Sequence, residues 1–405
     1  MKILFLSLWF PFPQDNGSRI RVNYLLLALH GKHQVHLISY LPSNAERNYL
    51  PEMERLCDHF DFVECDPFWR DPRQRLTGHL SLRPRDIIRG YNQEMEALVR
   101  EVSYREHFDI LIASCLEVAP YLLQIEHARR ILEEHNFTTS WMHERFEDQE
   151  GVLRRAAGWV TWQKCRRYER WLYPQFQAVT MVSGRDLRAV KETIPGYQGR
   201  LEVVPNGVDL SSHHLGIAAP VNNTLVFNGA LTYAANLEAM RFFTGSVLPL
   251  IRERCPEIKL TITGSTQGVD LGWLPQGANI TLTGRLDDVR PTVAGAWLAV
   301  APILSGGGTR LKILEGMALG TPVVASSKGA EGLAVTHGEN IMIADEPRDF
   351  ADACLKLLSS EDLRQRLAAS ARRFVEEQHD WQAIGRRFCE LVESVFENQA
   401  ASKSI

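Results

Sequence analysis

The segment from residue 297 to residue 325 places strong limits on the fold of this chain. It runs from an apolar stretch (297–303) through three consecutive glycines to a helical pattern, and then through a Gly-Thr-Pro turn to a second apolar stretch (322–325). Two short apolar strands joined by a helical crossover form a parallel pair, because parallel strands need a connection of this length. The segment therefore predicts a parallel sheet that is covered by helices.

The same alternation of apolar runs and helical patterns continues through both halves of the chain. In the first half it predicts strands at 3–8, 35–39, 62–65, 110–113, 130–134, 178–182 and 201–204. In the second half it predicts strands at 224–228, 259–263, 280–283, 298–301, 322–325 and 341–343. A helix is predicted at 19–29, another begins after the N-cap Ser183, and a long one spans 236–254. This regular alternation is typical of the α/β class.

A turn sequence divides the two halves. Pro205, Asn206 and Gly207 together favour a turn, and 405 residues are too many for one ordinary hydrophobic core. We therefore predict one domain at 1–205 and a second at 206–379. Apolar residues at helical spacing follow Asp380, which predicts a final helix at 380–398.

Composition excludes several classes of protein. Apolar residues at 45% and charged residues at 23% are typical of a globular protein, and a net charge of -4 excludes a general polyanion binder. Seven cysteines without a Cys-x-x-Cys pair favour a reducing compartment and argue against a disulfide framework or a zinc site. The apolar start of the chain is short and is interrupted by Pro11 and Pro13, which favours a buried strand over a secretion signal. We expect a cytoplasmic protein, with peripheral contact to the inner face of a membrane left open.

The glycine-rich stretch after residue 303 has the composition of an anion-binding site. Glycines let backbone N–H groups approach a phosphate, and the start of a helix adds partial positive charge. Two cations can add full charges, and a carboxylate in the helix can accept hydrogen bonds from a ribose. The donor-binding residues that we predict here are Gly306, Gly307, Gly308, Thr309, Arg310, Lys312 and Glu315. The alternatives are a tight turn without a ligand and solvent-exposed charges at a helix start.

This stretch resembles the nucleotide-sugar site of glycosyltransferase family 4, a group of retaining enzymes. In that family a Glu-x7-Glu motif closes the loop and helix. Glu315 stands at the second Glu position, which binds the donor ribose, and Gly307 stands at the first. A branch of the family carries this GGGTRLK-type loop. Family 4 enzymes also carry a sequence similar to Pro-Asn-Gly-Val-Asp (205–209) where the chain crosses between domains.

The resemblance implies the GT-B fold. That fold consists of two facing Rossmann-like domains, each a doubly wound parallel sheet. The first domain binds the acceptor and the second binds the nucleotide sugar. The C-terminal helix at 380–398 is then expected to return to the N-terminal domain, and packing on its own domain is the alternative.

Sugar transfer from a nucleoside diphosphate requires stabilisation of the charge that grows on the leaving diphosphate. No Asp-x-Asp follows a predicted strand, and the adjacent Asp287 and Asp288 are expected to cap a helix from residue 289. We therefore expect a metal-independent reaction with no cofactor. Most family 4 members place two cations after the first strand of the second domain, but here that strand is followed by Asn228-Gly229-Ala230-Leu231. Arg310 and Lys312 are expected to supply the missing charge.

Further site residues are implied by the resemblance. His135 follows a predicted strand and is expected to face the donor sugar, where it bonds a hydroxyl or helps carry the acceptor proton. The alternative is a structural histidine. Gly17 is expected to lie against the donor phosphates or the acceptor, with Asp15 and Arg21 as nearby candidates. The alternative there is a plain loop in which Ser18 caps the next helix.

Three more positions complete the predicted donor site. Gly229 follows the first strand of the second domain, and Arg285 lies in the turn that lines the nucleobase pocket in the family. Arg285 could equally cap or stack on a surface. Glu331 lies in a loop whose counterpart approaches the donor.

Two stretches combine basic and aromatic residues, and both lie in the predicted acceptor domain. Residues 66–91 contain Phe68, Trp69, Tyr91, Arg70, Arg73, Arg75, Arg83, Arg85 and Arg89. Residues 151–173 contain Trp159, Trp162, Tyr168, Trp171, Tyr173, Arg154, Arg155, Lys164, Arg166, Arg167 and Arg170. This composition suits an anionic membrane surface or a lipid-linked diphosphate acceptor. The alternative for the second stretch is a partly buried helix with its aromatic residues in the core.

The sequence thus predicts a retaining hexosyltransferase of family 4. It would move a sugar from a nucleotide donor to a glycan, lipid-linked or small-molecule acceptor in cell-envelope polysaccharide or glycolipid synthesis, and no nucleic-acid partner is expected. The alternatives are a nucleotide-sugar-binding protein without turnover, since the first Glu of the motif is Gly307, and a GT-B nucleotide-sugar epimerase.

Overall fold

The structure, a computed structural model, describes residues 1–68, 81, 83–84, 87, 90–275, 277 and 279–402, with side chains described as far as residue 397. The chain divides into two compact units. Unit 1 comprises Met1–Pro205 and Ile384–Ile405, and unit 2 comprises Asn206–Ala383.

Unit 1 is built on a parallel sheet of seven strands in the order β3-β2-β1-β4-β5-β6-β7. The strands are β1 (Lys2–Ser7), β2 (Gln34–Tyr40), β3 (His59–Val63), β4 (Ile110–Ser114), β5 (Arg129–Glu133), β6 (Ala178–Met181) and β7 (Arg200–Val203). The central strand β1 is a continuous apolar run whose residues 3–6 are fully buried, as expected of a strand that is covered on both faces. The apolar start of the chain is therefore the centre of a sheet.

Helices connect the strands of unit 1. They are α1 (Gly17–His30), α2 (Gln93–Arg105), α3 (Ala119–Leu122), α4 (Thr138–Glu147), α5 (Val152–Leu172) and α6 (Gly184–Thr193), with 3₁₀ turns at Glu46–Arg55 and Tyr173–Gln175. Ser183 caps α6 as predicted, since its side chain accepts a hydrogen bond from the Asp186 N–H. The alternative that Ser18 caps α1 is wrong, because the side chain of Asn16 accepts from the Arg19 N–H and the helix begins one residue before Ser18.

Unit 2 contains a six-stranded parallel sheet in the order β10-β9-β8-β11-β12-β13. Its strands are β8 (Val221–Asn228), β9 (Lys259–Thr263), β10 (Ile280–Gly284), β11 (Ala296–Ala301), β12 (Val323–Ala325) and β13 (Met342–Ile343). Its helices are α7 (Ala234–Phe242), α8 (Leu248–Arg254), α9 (Arg290–Ala294), α10 (Leu311–Ala318), α11 (Pro347–Ser359) and α12 (Glu361–Gln378). Both sheets confirm the predicted α/β class.

The predicted long helix at 236–254 is helical along its whole length, from residue 234 to residue 254, but its middle is not a regular α-helix. A π-helical turn, Phe243–Val247, separates α7 from α8. Pro249 lies in the first turn of α8, where it has no N–H to offer to the preceding turn. The regular i→i−4 ladder therefore cannot run through this position, and the wider turn absorbs the change.

The last helix, α13 (Trp381–Ser402), packs against α1 within unit 1. A Cβ at Gly385 would lie 2.6 Å from the Cβ of Ala28, and the Cys389 thiol donates to the Ala28 carbonyl oxygen at 3.3 Å. Only a glycine at position 385 allows the two helices to approach so closely. Among the described residues, no helix is both long enough and apolar enough to cross a membrane.

The strand order fixes where a ligand can bind in each unit. In unit 1 the chain moves from β1 through β2 to β3 on one side and then returns to β4 on the other side of β1. In unit 2 the same reversal separates β8 from β11. Ligands of such open sheets bind outside the carboxyl ends of the strands at this reversal. A ligand-binding site is therefore expected at the loops after β1, β4, β8 and β11.

Candidate active site

The loop between β11 and α10 carries the glycine triplet. Gly306 and Gly308 have φ of 88° and 83°, in the left-handed region that favours glycine. A Cβ at Gly306 would also lie 3.2 Å from the Tyr233 hydroxyl oxygen. The backbone conformation therefore favours glycine at position 306, and a side chain there would also crowd the Tyr233 hydroxyl.

Arg310 holds this loop together. Its guanidinium donates hydrogen bonds to the carbonyl oxygens of Ser305 at 3.1 Å, Gly306 at 2.5 Å and Gly307 at 2.8 Å. The sequence predicts this side chain as a phosphate contact, but the structure engages it with its own loop. Its positive charge still lies at the start of α10, where it adds to the partial charge of the helix end.

Lys312 reaches across to the end of the neighbouring strand β8. Its ammonium donates to the side-chain oxygen of Asn236 at 2.8 Å and lies 4.0 Å from the centre of the Phe227 ring. A Cβ at Gly229 would lie 2.6 Å from the lysine nitrogen. The cation that is missing from the loop after β8 is thus supplied from α10, and Gly229 leaves room for it.

The environment of Lys312 weakens its hold on its proton. Burial and, to a smaller extent, the positive charge of Arg310 together lower the pKa of Lys312 to about 7, with Glu315 opposing both effects. Among the described residues, no carboxylate lies within ion-pair distance of the Lys312 ammonium. An anion bound beside this ammonium would therefore stabilise its charged form.

Glu315 lies one turn further along α10 and belongs to a chain of polar groups. Its carboxylate accepts a hydrogen bond from the Asn228 amide at 2.7 Å, and the Thr263 hydroxyl donates to the Asn228 oxygen at 3.0 Å. Burial raises the pKa of Glu315, against the opposing effects of Lys312 and Asn228. Because Asn228 ends β8 and Thr263 ends β9, the carboxyl ends of two adjacent strands fix this carboxylate.

Two predicted donor residues lie at other strand ends. Arg285 is exposed just after β10, which is the edge strand on one side of the sheet. Glu331 lies after β12, and its carboxylate accepts from the Lys328 ammonium at 2.7 Å. The expected cap by the adjacent aspartates is not at the N-cap position, which is Val289 and has no side-chain cap bond, although Asp288 accepts from the N–H of Arg290, the first residue of α9, at 2.9 Å.

In unit 1 the end of β5 contains a buried ion pair. Glu133 is 0% exposed and Arg21 is 1% exposed, and the Arg21 Nε lies 2.5 Å from the Glu133 Oε1. The Ser114 hydroxyl donates to the other carboxylate oxygen at 2.7 Å. Burial alone would raise the pKa of Glu133, but Arg21, His135 and the hydrogen bonds hold it well below its usual range.

The same carboxylate contacts His135. The His135 Nε2 lies 3.2 Å from the Glu133 Oε2, and its Nδ1 lies 3.0 Å from the Ser18 hydroxyl oxygen. Ser18 follows Gly17, which is the first residue of α1. The structure thus places His135 against the first turn of α1, next to Gly17, and the expected contacts of both residues with a donor remain predictions.

Known families match both units of the chain. The family described as "Glycosyltransferase Family 4" matches residues 16–212, and "Glycosyl transferases group 1" matches residues 222–360. Together the two matches cover most of both parallel sheets. The chain is a GT-B glycosyltransferase.

Two relatives of this glycosyltransferase match different shares of its sequence. An "Uncharacterized 44.6 kDa protein in cps region" of Klebsiella pneumoniae is 21% identical over 398 residues, which is 94% of this chain and 96% of that protein. "Phosphatidyl-myo-inositol mannosyltransferase" of Mycobacterium leprae is 28% identical over 202 residues, which is 47% of this chain and 53% of the relative. The chain therefore matches about half the length of the mannosyltransferase.

Solved structures share the fold along nearly the whole chain. "Sucrose-phosphate synthase (tll1590) from Thermosynechococcus elongatus" has a TM-score of 0.71 at 14% identity and covers 98% of this chain and 99% of its own. "Anabaena Alr3699/HepE in complex with UDP-glucose" has a TM-score of 0.64 at 17% identity and covers 97% and 100%. These likenesses establish the fold of the glycosyltransferase.

Four residues of the candidate site are missing from the sequence prediction. Asn228, Asn236 and Thr263 bond the predicted side chains in unit 2, and Glu133 bonds His135 in unit 1. Each lies in or next to an apolar strand or a helix, where polar residues are common. The only local signal is a polar residue at the carboxyl end of a strand, and it becomes informative once the strand order is known.

Proposed function

We propose that this glycosyltransferase transfers a hexose-type sugar from a nucleoside-diphosphate sugar, with retention of configuration and without a divalent ion. The observation that carries the proposal is the position of Lys312. Its ammonium contacts the end of β8 and lies near Glu315, and its described hydrogen-bond partner is a neutral amide. A diphosphate placed there would supply the counter-charge that the lysine lacks.

The reaction needs stabilisation of the leaving diphosphate more than a protein nucleophile. Lys312 would contact the diphosphate, backbone N–H groups of 306–309 would bond its oxygens, and Arg310 would hold the loop in the shape that presents them. Fixed charges of this kind stabilise the negative charge that develops as the sugar bond breaks. Glu315 would accept hydrogen bonds from the ribose hydroxyls. The HepE structures with UDP and with UDP-glucose support a nucleotide sugar as the donor class.

We propose a glycan or a lipid-linked molecule as the acceptor, within cell-envelope polysaccharide or glycolipid synthesis. The similarity to a mannosyltransferase named for phosphatidyl-myo-inositol supports a lipid-linked acceptor. The similarity to a protein of a cps region supports a role in polysaccharide synthesis.

Contact with an anionic membrane surface is a further part of this proposal, and α5 supports it. Val152 and Leu153 at its start are 84% and 87% exposed, and Arg154 and Arg155 beside them are exposed as well. The later part of the helix is buried at Cys165, so the alternative of a partly buried helix describes its second half. Apolar and cationic side chains that are exposed together suit the surface of anionic lipids.

The first basic stretch contributes little to this proposal. Arg70, Arg73, Arg75, Arg85, Arg89 and Trp69 lie outside the described residues. Flotation with vesicles of phosphatidylcholine and phosphatidylglycerol tests the membrane proposal through α5. We expect the protein to float at low salt and the paired change Val152→Glu, Leu153→Glu to abolish flotation, and no flotation of the unchanged protein contradicts the proposal.

Nucleotide-sugar binding without turnover is the second candidate function. It is favoured by Gly307, which leaves the loop without the first carboxylate of the Glu-x7-Glu motif. Binding and turnover therefore need separate measurements, and an epimerase would convert the donor without transferring its sugar.

A donor panel tests the proposal directly. UDP-glucose, UDP-N-acetylglucosamine and GDP-mannose are added separately, and thermal unfolding is followed with and without EDTA. A ligand at 100 times its Kd stabilises the folded state by about 2.7 kcal/mol, so a bound donor raises the melting temperature. Lys312→Met should remove this rise, and Lys356→Met, which alters an exposed lysine on α11, should preserve it.

Turnover is then measured with the labelled donor and a cell-envelope lipid extract. Transfer of label to lipid supports the transferase, binding without release of label favours the second candidate, and conversion to another nucleotide sugar favours the epimerase. Loss of transfer in EDTA contradicts the metal-independent mechanism.

A further inference from the structure

Tyr233 is an exposed aromatic residue beside the glycine triplet. It is the one tyrosine between residues 206 and 383, it precedes α7 as the N-cap residue, and it is 52% exposed. Among the residues that the structure describes, none forms a hydrogen bond with its hydroxyl group. A hydroxyl group without a protein partner can bond a ligand without breaking a bond within the protein.

The Tyr233 hydroxyl oxygen lies next to the backbone of Gly306. A Cβ at Gly306 would lie 3.2 Å from this oxygen, 3.4 Å from a guanidinium nitrogen of Arg310 and 3.6 Å from the Ala235 Cβ. Both the phenol and the guanidinium are hydrogen-bond donors. Two donors therefore lie on the same side of the glycine loop.

The surroundings of this hydroxyl group favour an anion. Arg310 supplies a full positive charge, and α7 and α10 begin here, at residues 234 and 311, so each adds the partial positive charge of a helix start. Glu238 on α7 opposes them, but its carboxylate already accepts from the Ser305 hydroxyl at 2.5 Å. The sum of these charges is positive, which favours a bound oxyanion.

Helix α7 presents Tyr233 on the side that also contacts the cation of α10. Asn236, three residues after Tyr233, accepts from the Lys312 ammonium at 2.8 Å. Residues three apart face the same side of a helix. Tyr233 and Lys312 therefore lie on the same side of α7, with Tyr233 beside the glycine triplet and Lys312 at the end of β8.

The charged groups of α10 give a bound nucleotide a direction. Arg310 precedes the helix, Lys312 lies in its first turn and Glu315 lies one turn further. The Lys312 ammonium interacts electrostatically with both Arg310 and Glu315. A nucleotide with its ribose at Glu315 and its diphosphate at Lys312 would extend towards the glycine triplet, so its distal phosphate would lie closest to Tyr233.

We propose that the Tyr233 hydroxyl group donates a hydrogen bond to the donor phosphate that is distal to the nucleoside, and that this bond makes the site select diphosphates over monophosphates. This inference deepens the proposed function and rests on it. The distal phosphate carries the sugar in the donor and is terminal in the released diphosphate, and in both it has oxygens that accept hydrogen bonds. Tyr233 is a binding residue, and it takes no part in proton transfer.

Titration calorimetry with paired nucleotides tests this proposal. UDP and UMP, and GDP and GMP, are titrated into the unchanged protein and into Tyr233→Phe, which removes the hydroxyl group and keeps the ring. We expect the Kd of the diphosphate to rise by about tenfold, the lower end of the effect of a hydrogen bond to a charged group, and the Kd of the monophosphate to change by less than about twofold. Tyr104→Phe is the matched control, since Tyr104 on α2 is 93% exposed and lies in unit 1, and it should change neither value.

The outcomes separate this inference from the function on which it rests. An equal loss of affinity for both members of a pair means that the hydroxyl group contacts the nucleoside or its first phosphate, and it overturns the proposal. An unchanged diphosphate Kd in Tyr233→Phe overturns it as well. If no nucleotide binds the unchanged protein, the proposed function fails, and pyrophosphate, which has no nucleoside, is titrated instead. Weaker pyrophosphate binding in Tyr233→Phe then still supports the phosphate contact, whereas equal binding or no binding overturns it.

Discussion

The carboxyl ends of the two sheets have the same topology but treat charge differently. In unit 1, Glu133 and Arg21 form a direct ion pair that is shielded from solvent. In unit 2, Lys312 and Glu315 keep partial exposure, and each is bonded to a neutral asparagine amide. Against the effect of burial, Arg21 and His135 hold the pKa of Glu133 low, so this shift comes from charges within unit 1. In unit 2, burial lowers the pKa of Lys312 and raises that of Glu315, and neither has an ion-pair partner among the described residues.

This difference indicates what each pair of charges contributes. A buried ion pair is costly to break because the remaining charge is left without compensation, so the charges of unit 1 should matter first for folding. Largely buried charges without an ion-pair partner at the carboxyl ends of parallel strands are candidates for a functional site, so those of unit 2 should matter first for activity. Four experiments test whether the charges of the two units differ in this way.

The largest effect is expected from Arg21→Met. It leaves the Glu133 carboxylate buried without its cation, and breaking such a pair costs about 3–5 kcal/mol of folding free energy. Urea-induced unfolding measures the loss. Arg154→Met, which alters an exposed arginine at the start of α5, should change stability by about 0.5 kcal/mol or less. If the two variants are equally stable, the division of roles between the units is wrong.

Lys312→Met should show the opposite pattern. Removing one fixed charge from the leaving diphosphate is expected to reduce kcat/KM by about 10²–10³-fold. Stability should stay close to that of the unchanged protein, because the variant removes a cation without leaving a paired anion behind. Steady-state transfer assays and thermal unfolding measure the two quantities. A variant that unfolds but keeps its turnover would reverse the comparison.

Donor binding should depend on pH through the protonation of Lys312. A pKa of about 7 means that the ammonium is charged below pH 7 and progressively neutral above it. Donor Kd should therefore rise with pH above 7, with a slope that approaches about tenfold per pH unit. Titration calorimetry with a nucleotide sugar, whose diphosphate does not titrate in this range, measures the slope. Lys312→Arg should flatten it because arginine stays charged, and a slope that persists in this variant assigns the titration to another group.

The smallest effect is expected from Gly229→Ala. The new methyl group would lie 2.6 Å from the Lys312 nitrogen, so the flexible ammonium must shift. We expect donor affinity to fall by about threefold to tenfold, or about 0.7–1.4 kcal/mol, while the fold is retained. Gly245→Ala is the control, since its Cβ meets no atom within 4 Å. Equal donor affinity in both variants would mean that the lysine does not need its present position.

The fold could be predicted from the sequence because it depends on hydrophobic periodicity. All thirteen predicted strands recur with bounds shifted by three residues or fewer. The helix predicted at 236–254 is helical throughout, but its π-helical turn was not predicted, because the apolar pattern continues through Pro249 while the regular backbone hydrogen bonds cannot. Hydrophobic periodicity predicts which face of a helix is buried, but it does not show the effect of a single missing N–H group.

The site could be predicted only in part. Lys312 and Glu315 belong to a contiguous motif, whereas their partners Asn236 and Asn228 are placed by the pairing of strands far apart in sequence. Glu133 is 112 residues from Arg21, and at the end of an apolar run it carries no local sign of an ion pair. The bonds of Arg310 to its own loop depend on a backbone conformation that residue types alone do not specify.

The reach of Lys312 towards Gly229 has a consequence for comparing sequences column by column. Such a comparison finds no basic residue in the loop after β8, and it would predict that the protein is inactive. In three dimensions the positive charge comes from Lys312 on α10, the helix that follows β11 on the other side of the reversal in strand order. Catalytic competence in proteins of this architecture is therefore better judged by where charges end up in space than by which position of the chain encodes them.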